Sequence, residues 1–350
     1  MRTKIIVTGG AGFIGRNIVA ALNARGETDV VVVDDLGTSD KWMNLRGLEL
    51  DTVIGIDELG EYLESPEGDK VRAIIHMGAC SATTERDADY LLQNNYQYTV
   101  DLVNWSRARG VRMIYASSAA TYGDGSLGYS DEDDVTRTLK PLNMYGFSKH
   151  LTDLWALRTG ALDDVVGLKF FNVYGPHEQH KDDMRSLVSK AYVQVRDTAT
   201  MRLFRSYHPD YADGESLRDF IYVDDAVEVV LFFLDNPHVN GLFNCGTSRA
   251  TSWIELAYAV FKAMDVEPNI EFIDMPESIR DRYQYFTQAD GAKLRAAGFT
   301  GTFRGIEDGV KAYFDTYLSK ELGQRPRRAS RPSPCGRARR SRRTPTRPSR

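Results

Sequence analysis

The chain has 350 residues, 42% apolar and 27% charged, the balance of an ordinary soluble globular protein with enough length for a large core. No apolar run approaches the roughly 20 residues of a bilayer span, and Cys80, Cys245 and Cys335 have neither metal-ligand spacing nor the look of a disulfide framework, which points to a reducing, cytoplasmic setting. The net charge of −5 conceals an asymmetry: eleven Arg and no acid fall between Gly323 and Arg350, so residues 1–322 set 33 basic against 49 acidic groups and carry −16, which argues against nucleic acid as a partner of the body.

In chain order, an apolar strand Lys4–Thr8 runs into three glycines spaced three apart, Gly9, Gly12 and Gly15, followed by an amphipathic helix Asn17–Arg25 and a strand Asp29–Asp34. That order places a pyrophosphate on a helix N-terminus, where unpaired N–H groups and the helix dipole bind an anion, and a carboxylate near a ribose. Gly9 permits the tight turn, Gly12 the close approach of the phosphates, and Gly15 the packing of helix on strand. The stretch Gly37–Lys70 shows no clear elements. Strand Arg72–Met77 ends in small residues, His76-Met77-Gly78-Ala79-Cys80-Ser81, against which a ribose and its phosphates can lie; His76 and Cys80 have no partners at metal-site or nucleophile spacing and read as structural. A helix is expected over Asp87–Arg109 and a strand over Arg112–Ser117, closing in Ser118. Helix Met144–Arg158 follows, then strand Val165–Phe171, ending in Asn172-Val173-Tyr174-Gly175-Pro176 with His177, His180 and Lys181 beyond. This alternation predicts right-handed βαβ units and an α/β fold with a doubly wound parallel sheet of the Rossmann kind.

Past Pro176 the elements shorten. Strands are expected at Met201–Phe204, Asp219–Val223, Leu242–Cys245 and Ile270–Ile273, and helices at Ser186–Arg196, Val223–Leu234, Ser252–Met264 and Arg304–Ser319, with Ser252 and Glu255 forming a capping box. The organisation read from this is a dinucleotide-binding domain over 1–175, completed by part of 218–250; a smaller mixed α/β C-terminal lobe over 176–322 that carries most substrate contacts; and a disordered Arg/Pro/Ser tail over 323–350, a nucleic-acid arm or an out-of-frame or vector-derived extension by composition alone.

Tyr145 and Lys149 stand four apart on one helical face. A tyrosine of pKa ~10 is a poor base at neutral pH, but a nearby ammonium and an oxidised nicotinamide favour the phenolate, which can then take a proton from a sugar hydroxyl. Ser118 can hold the same oxygen. The same spacing recurs at Tyr258 and Lys262, in a helix that reads as structural. His177, His180 and Lys181 offer either a phosphate clamp or an acid/base pair, and Arg218 a bidentate diphosphate contact.

These motifs together resemble the extended short-chain dehydrogenase/reductase superfamily. Within it the chain is most similar to the ADP-heptose 6-epimerases, through His76-x-Gly-Ala-Cys-Ser-x-Thr-Thr-Glu85, Asn94-Asn-Tyr-Gln-Tyr98, Tyr115-Ala-Ser-Ser-Ala-Ala-Thr-Tyr-Gly123 and Arg282-Tyr-Gln-x-Phe-Thr-Gln288. The resemblance covers residues 4–320. It implies transient oxidation of a nucleotide-linked heptose at C6 and return of hydride to the other face, in the making of lipopolysaccharide core heptose, by a homo-oligomer, a pentamer by resemblance. It also implies Tyr145 and Lys181 as the two acid/bases, Lys149 as the residue that holds the ribose, and Ser118 at the reacting carbon. The substrate positions are Ser118, Asn172, Lys190, Phe204, Arg218 and Tyr283. The cofactor positions are Phe13, Ile14, Asp34, Asp35, Lys41, Met77 to Ser81, Asn94, Lys149, Val173 and Lys181, with the three glycines; no metal is expected.

Two departures bear on the cofactor, expected to be NADP with NAD possible. Asp51–Glu58 carries no Lys or Arg, and Asp34-Asp35 doubles the carboxylates near the ribose, which leaves Lys41 as the main partner of a 2′-phosphate. The alternatives are a UDP-hexose 4-epimerase or nucleotide-sugar dehydratase, and a non-catalytic dinucleotide sensor. Dehydratases carry an Asp-Glu pair where this chain has Ala119-Ala120. Sensors often lose the tyrosine or lysine kept here.

Overall fold

The runs of Val and Ile near the N-terminus pair edge to edge into one parallel sheet. The computed structural model describes residues 2–280 and 283–323; Arg282 of the resembling motif and all but the first residue of the basic tail lie outside them. The strands are β1 (Lys4–Thr8), β2 (Val30–Val33), β3 (Thr52–Ile54), β4 (Val71–His76), β5 (Arg112–Ser118), β6 (Val166–Phe170), β7 (Asn172–Tyr174), β8 (Met201–Phe204), β9 (Leu217–Tyr222), β10 (Gly241–Cys245), β11 (Ala250–Ser252) and β12 (Ile270–Ile273). The main sheet has the order β10-β6-β5-β4-β1-β2-β3, with every pairing parallel. Smaller sheets, β11-β9-β7 and β12-β8, serve the second half.

Side chains alternate across each strand, so both faces are buried and the sequence reads as uninterrupted apolar runs. Ile5, Val7, Val30 and Val32 face a core shared with the helices Phe13–Ala24 and Val223–Asp235, whereas Ile6, Val31 and Val33 face one shared with Tyr98–Arg109 and Met144–Arg158. A third core, around Tyr174, Tyr192, Phe261 and Tyr313, belongs to the later elements. Chain direction across the sheet reverses between β1 and β4, and a crevice opens at their C-terminal ends.

Three elements differ from expectation. The first helix starts at Phe13, not Asn17, directly after Gly12, which sets the glycine turn on the helix N-terminus. The Asp87–Arg109 run is interrupted: a π-helical turn, Leu92–Gln97, inserts between Ala88–Leu91 and Tyr98–Arg109. The helix expected over Arg304–Ser319 spans Ile306–Tyr313, followed by another π turn at Phe314–Leu318 and a last short helix at Ser319–Glu321. The capping box is present: the Glu255 amide donates to Ser252 Oγ (3.1 Å) and the Ser252 amide to the Glu255 carboxylate (2.7 Å). Gly37–Lys70 contains a 3-10 turn at Asp40–Leu45, the three-residue β3 and a short helix, Leu59–Glu64.

Candidate functional site

Two cavities adjoin at the crevice, of about 520 and 460 Å³. The larger runs over the glycine turn and the ends of β1, β2 and β4; of the sequence-expected cofactor residues, all but Val173 line it. Val173 lines the smaller cavity instead, because β7 turns away from the main sheet after Phe171. Ser118, Asn172 and Lys190 also line the smaller cavity, whereas Phe204, Arg218 and Tyr283 line neither. Tyr145 and Lys181 line both and stand at the junction, with Phe13, Ile14, Ser81, Phe170 and Met184.

The glycine turn has no room for side chains. A Cβ on Gly15 would lie 2.1 Å from the Gly9 carbonyl oxygen, and Gly9 itself has φ +64° with Gly78 of the neighbouring strand end 2.7 Å from its missing Cβ. The cradle, the helix N-terminus above it and the acid at the end of β2 fit a dinucleotide. Asp34 is buried; its carboxylate accepts from the Ala11 amide (2.9 Å) and pairs with Lys41, whose ammonium also donates to the Asp35 carbonyl (3.3 Å).

His76 is a strut beneath this surface. The Thr99 hydroxyl spends its proton on the Asn95 carbonyl (2.7 Å), so His76 Nε2–H donates to Thr99 Oγ1 (2.9 Å) and His76 Nδ1 accepts from Thr8 Oγ1 (2.6 Å), which in turn accepts from the Gly78 amide (3.1 Å). Burial and the Lys149 charge push His76 down to about 3, which keeps it neutral. Asn95, in the π turn, is fully buried: it accepts from the Cys80 amide (2.9 Å) and donates to the Cys80 carbonyl (3.0 Å) and to Ser148 Oγ (3.1 Å). It therefore clamps the β4 loop to the helix that bears Tyr145 and Lys149.

That helix is capped by Asn143, which accepts from the Gly146 amide (2.8 Å). Burial raises the Tyr145 phenol and a hydrogen bond with Ser118 opposes the rise. Burial brings Lys149 down to about 8, against the attraction of Asp153 and Cys80. One turn on, Asp153 is fully buried and accepts from Ser117 Oγ (2.7 Å) and Tyr115 Oη (3.1 Å), with Lys169 Nζ of β6 at 3.7 Å. Lys169, also fully buried, donates to Thr121 (3.2 Å) and Thr136 (3.4 Å) and lies 4.6 Å from the Tyr122 ring centre.

Of the His177, His180 and Lys181 trio, both imidazoles are neutral at neutral pH. Burial, with Arg16 beside His177 and Lys41 beside His180, takes them to about 3 and about 4. Lys181 is therefore the cation of the three; burial lowers it and Glu178 opposes that. Arg218 is buried between Trp253 and Tyr283, with guanidinium nitrogens donating to the Leu217 carbonyl (2.8 Å) and to that of Gln284. Lys262 pairs with Glu307 at 2.6 Å and Tyr258 is exposed, so the second Tyr/Lys spacing is a surface feature.

Sequence reasoning gave no site role to Asn95 and Tyr98, though both stand in the Asn94–Tyr98 motif, nor to the Asp153–Lys169 pair, Glu178 or Tyr90; Tyr90 and Tyr98 line the larger cavity. Asp153 carried a usable signal: it is four residues past Lys149 and so on the same inward face.

The NAD dependent epimerase/dehydratase family matches residues 5–246. A Nitratidesulfovibrio vulgaris ADP-L-glycero-D-manno-heptose-6-epimerase is 56% identical over 317 residues, 90% of this chain and 98% of the relative. One from Fusobacterium nucleatum is 46% identical over 327 residues, 91% and 98%. The crystal structure of the Helicobacter pylori ADP-L-glycero-D-manno-heptose-6-epimerase superposes with a TM-score of 0.72 at 26% identity, over 90% of this chain and 96% of that one. A family match over most of the chain, at these identities and on this sheet, places the protein in the NAD dependent epimerase/dehydratase family, among the ADP-L-glycero-D-manno-heptose-6-epimerases.

Proposed function

We propose that the protein interconverts ADP-D-glycero-D-manno-heptose and ADP-L-glycero-D-manno-heptose by oxidation at C6 and re-reduction of the ketone on its other face, with NADP resident in the larger cavity. The observation that carries this is the junction: a phenol on the Met144–Arg158 helix and an ammonium on the loop after β7 line both cavities at once. When bound, the nicotinamide supplies the hydride acceptor and donor. Tyr145 takes the C6 hydroxyl proton, Ser118 holds the oxygen, and Lys149 favours the phenolate and holds the ribose. The 6-ketone then turns over, and Lys181 delivers the proton at the opposite face. In the same reading, residues 1–175 with part of 218–250 hold the dinucleotide, 176–322 hold most of the sugar nucleotide, and the enzyme works as a homo-oligomer. Asn172, Lys190, Phe204, Arg218 and Tyr283 serve the substrate. Incubation with ADP-D-glycero-D-manno-heptose and chromatographic resolution of the two epimers tests the assignment, with UDP-glucose as the competing substrate. Turnover of UDP-glucose alone overturns it.

Lys181→Met is expected to abolish epimer interconversion with little change in substrate affinity, while redox turnover of an aldehyde-bearing analogue persists through the Tyr145 face. If Lys181 only clamped the diphosphate, affinity would fall tenfold or more (about 1.4 kcal/mol) and epimerisation would recover at saturating substrate.

Lys41 supports the cofactor assignment, as the cation beside the two carboxylates at the end of β2. Lys41→Ala is expected to lower the NADP-over-NAD affinity ratio by about tenfold, ~1.4 kcal/mol, measured by titration of stripped enzyme. An unchanged ratio places the 2′-phosphate contact elsewhere.

A further inference from the structure

The loop that carries Lys181 does not hold its own shape. His177 (φ 71°) and Asp182 (φ 45°) are both non-glycine residues in the left-handed region, and such positions persist only where surroundings over-determine them. On one flank the ties run to the dinucleotide turn. Asn44 donates to the His177 carbonyl (3.3 Å) and meets His180 Nδ1 (3.1 Å), and Asn17 donates to the Pro176 carbonyl (3.1 Å).

The other flank is held by a buried carboxylate. Glu178 has no exposed surface; it accepts from the Ser186 amide, from Ser186 Oγ (2.6 Å) and from the Tyr313 hydroxyl (3.1 Å). Ser186 is the N-cap of the Leu187–Thr198 helix, and its Oγ also accepts from the Ser189 amide (3.3 Å), so the carboxylate lies at the positive end of a helix dipole. The Tyr313 oxygen donates to Glu178 and accepts from Gln179 Nε2 (3.3 Å). The Lys181 amide closes the turn on the Glu178 carbonyl (3.0 Å). The Lys181 ammonium, by contrast, has no hydrogen-bond acceptor among the described residues; its neighbours are the Phe13 ring, 5.5 Å away, and the charge of Glu178. Its aim is therefore set by the backbone that Glu178 and Tyr313 hold.

We propose that Glu178 and Tyr313 are positioning residues for Lys181: a latch, between the loop after β7 and the Ile306–Tyr313 helix, that points the ammonium at the far face of the ketone. Neither residue lines either crevice cavity, so neither acts on substrate directly. Removing the latch lets the loop relax and lowers only the step that Lys181 performs. The inference rests on the reading of Lys181 as the second acid/base.

The test uses the holoenzyme. Tyr313→Phe deletes one O–H from a fully buried ring and keeps its volume, and Glu178→Gln removes the charge. The expected result is a kcat for epimerisation at least tenfold lower, KM for the ADP-heptose within about twofold, and unchanged cofactor content and aldehyde-analogue turnover. In the double variant with Lys181→Met, the latch substitution is expected to add nothing, since both act on one step. Wild-type epimerisation in both single variants overturns the latch, as does a parallel fall in epimerisation, cofactor content and analogue turnover in Tyr313→Phe, which would mean a merely structural role. If Lys181→Met alone keeps full epimerisation, the reading of Lys181 fails instead, and the two failures are told apart.

Discussion

Tyr145→Phe is expected to reduce epimerisation by about 10²–10⁴ or more, the range for loss of a positioned acid/base, while dinucleotide binding survives. The argument is local. Phenylalanine keeps the ring where two cavities meet and removes only the phenolic oxygen, with Ser118 lining the smaller cavity beside it. The glycine cradle, Asp34, Lys41 and Lys149 are untouched, so cofactor content should match that of the parent. Epimer resolution by chromatography reads the first effect, and absorbance of the bound dinucleotide the second. Turnover within tenfold of the parent would remove Tyr145 from the chemistry.

Lys169→Met is expected to be the costliest substitution for stability, at about 3–5 kcal/mol, the cost of leaving one partner of a buried pair uncompensated. Asp153 would keep its bonds from Ser117 and Tyr115 but lose the ammonium that offsets its burial. Burial drives each member toward its neutral form, raising the Asp153 carboxyl and lowering the Lys169 ammonium, and each opposes the other's shift. Chemical denaturation measures the loss. The double variant Lys169→Met/Asp153→Leu should recover part of it, because the carboxylate is no longer left without its ammonium, while Ser117 and Tyr115 lose their acceptor and Lys149 a counter-charge. A single variant within about 1 kcal/mol of the parent, or a double variant as unstable as the two singles summed, would show that the pair is not coupled as described.

The central strands are legible because parallel strands buried on both faces show as plain runs such as Val30–Val33. The crevice is legible because backbone crowding at Gly9 and Gly15 leaves glycine as the residue that fits. Other features leave weaker marks. β3 is three residues long, too short for a period to show. The π turn at Leu92–Gln97 shifts the helix register by one residue per turn, and the apolar spacing on either side hides it. Gly12-x-x-Gly15 reads as loop because glycine is a poor helix former, yet Gly15 sits in the first turn where close packing on Gly9 outweighs propensity. Lys169 reads as a break in an apolar strand; its carboxylate comes from the middle of the preceding Met144–Arg158 helix, across the connecting turn, and no spacing rule joins a helix position to a strand position. The bond between Tyr313 and Glu178 spans 135 residues and is equally silent.

The place of β10 governs how this protein comes to exist as a folded object. It pairs along all five residues of β6, from Gly241 on Val166 to Cys245 on Phe170, and every residue of β6 is buried. A chain ended after Pro176 would contain the complete glycine cradle and the Tyr145 helix, yet would present β6 as a bare apolar edge, the arrangement that recruits other chains. The half that carries the glycine cradle thus has its β6 edge covered by a strand from the later half. On a ribosome, β6 must wait for some seventy further residues before its edge is covered. That interval, rather than any weakness of the finished molecule, is where aggregation competes, and a fragment for study should run through β10.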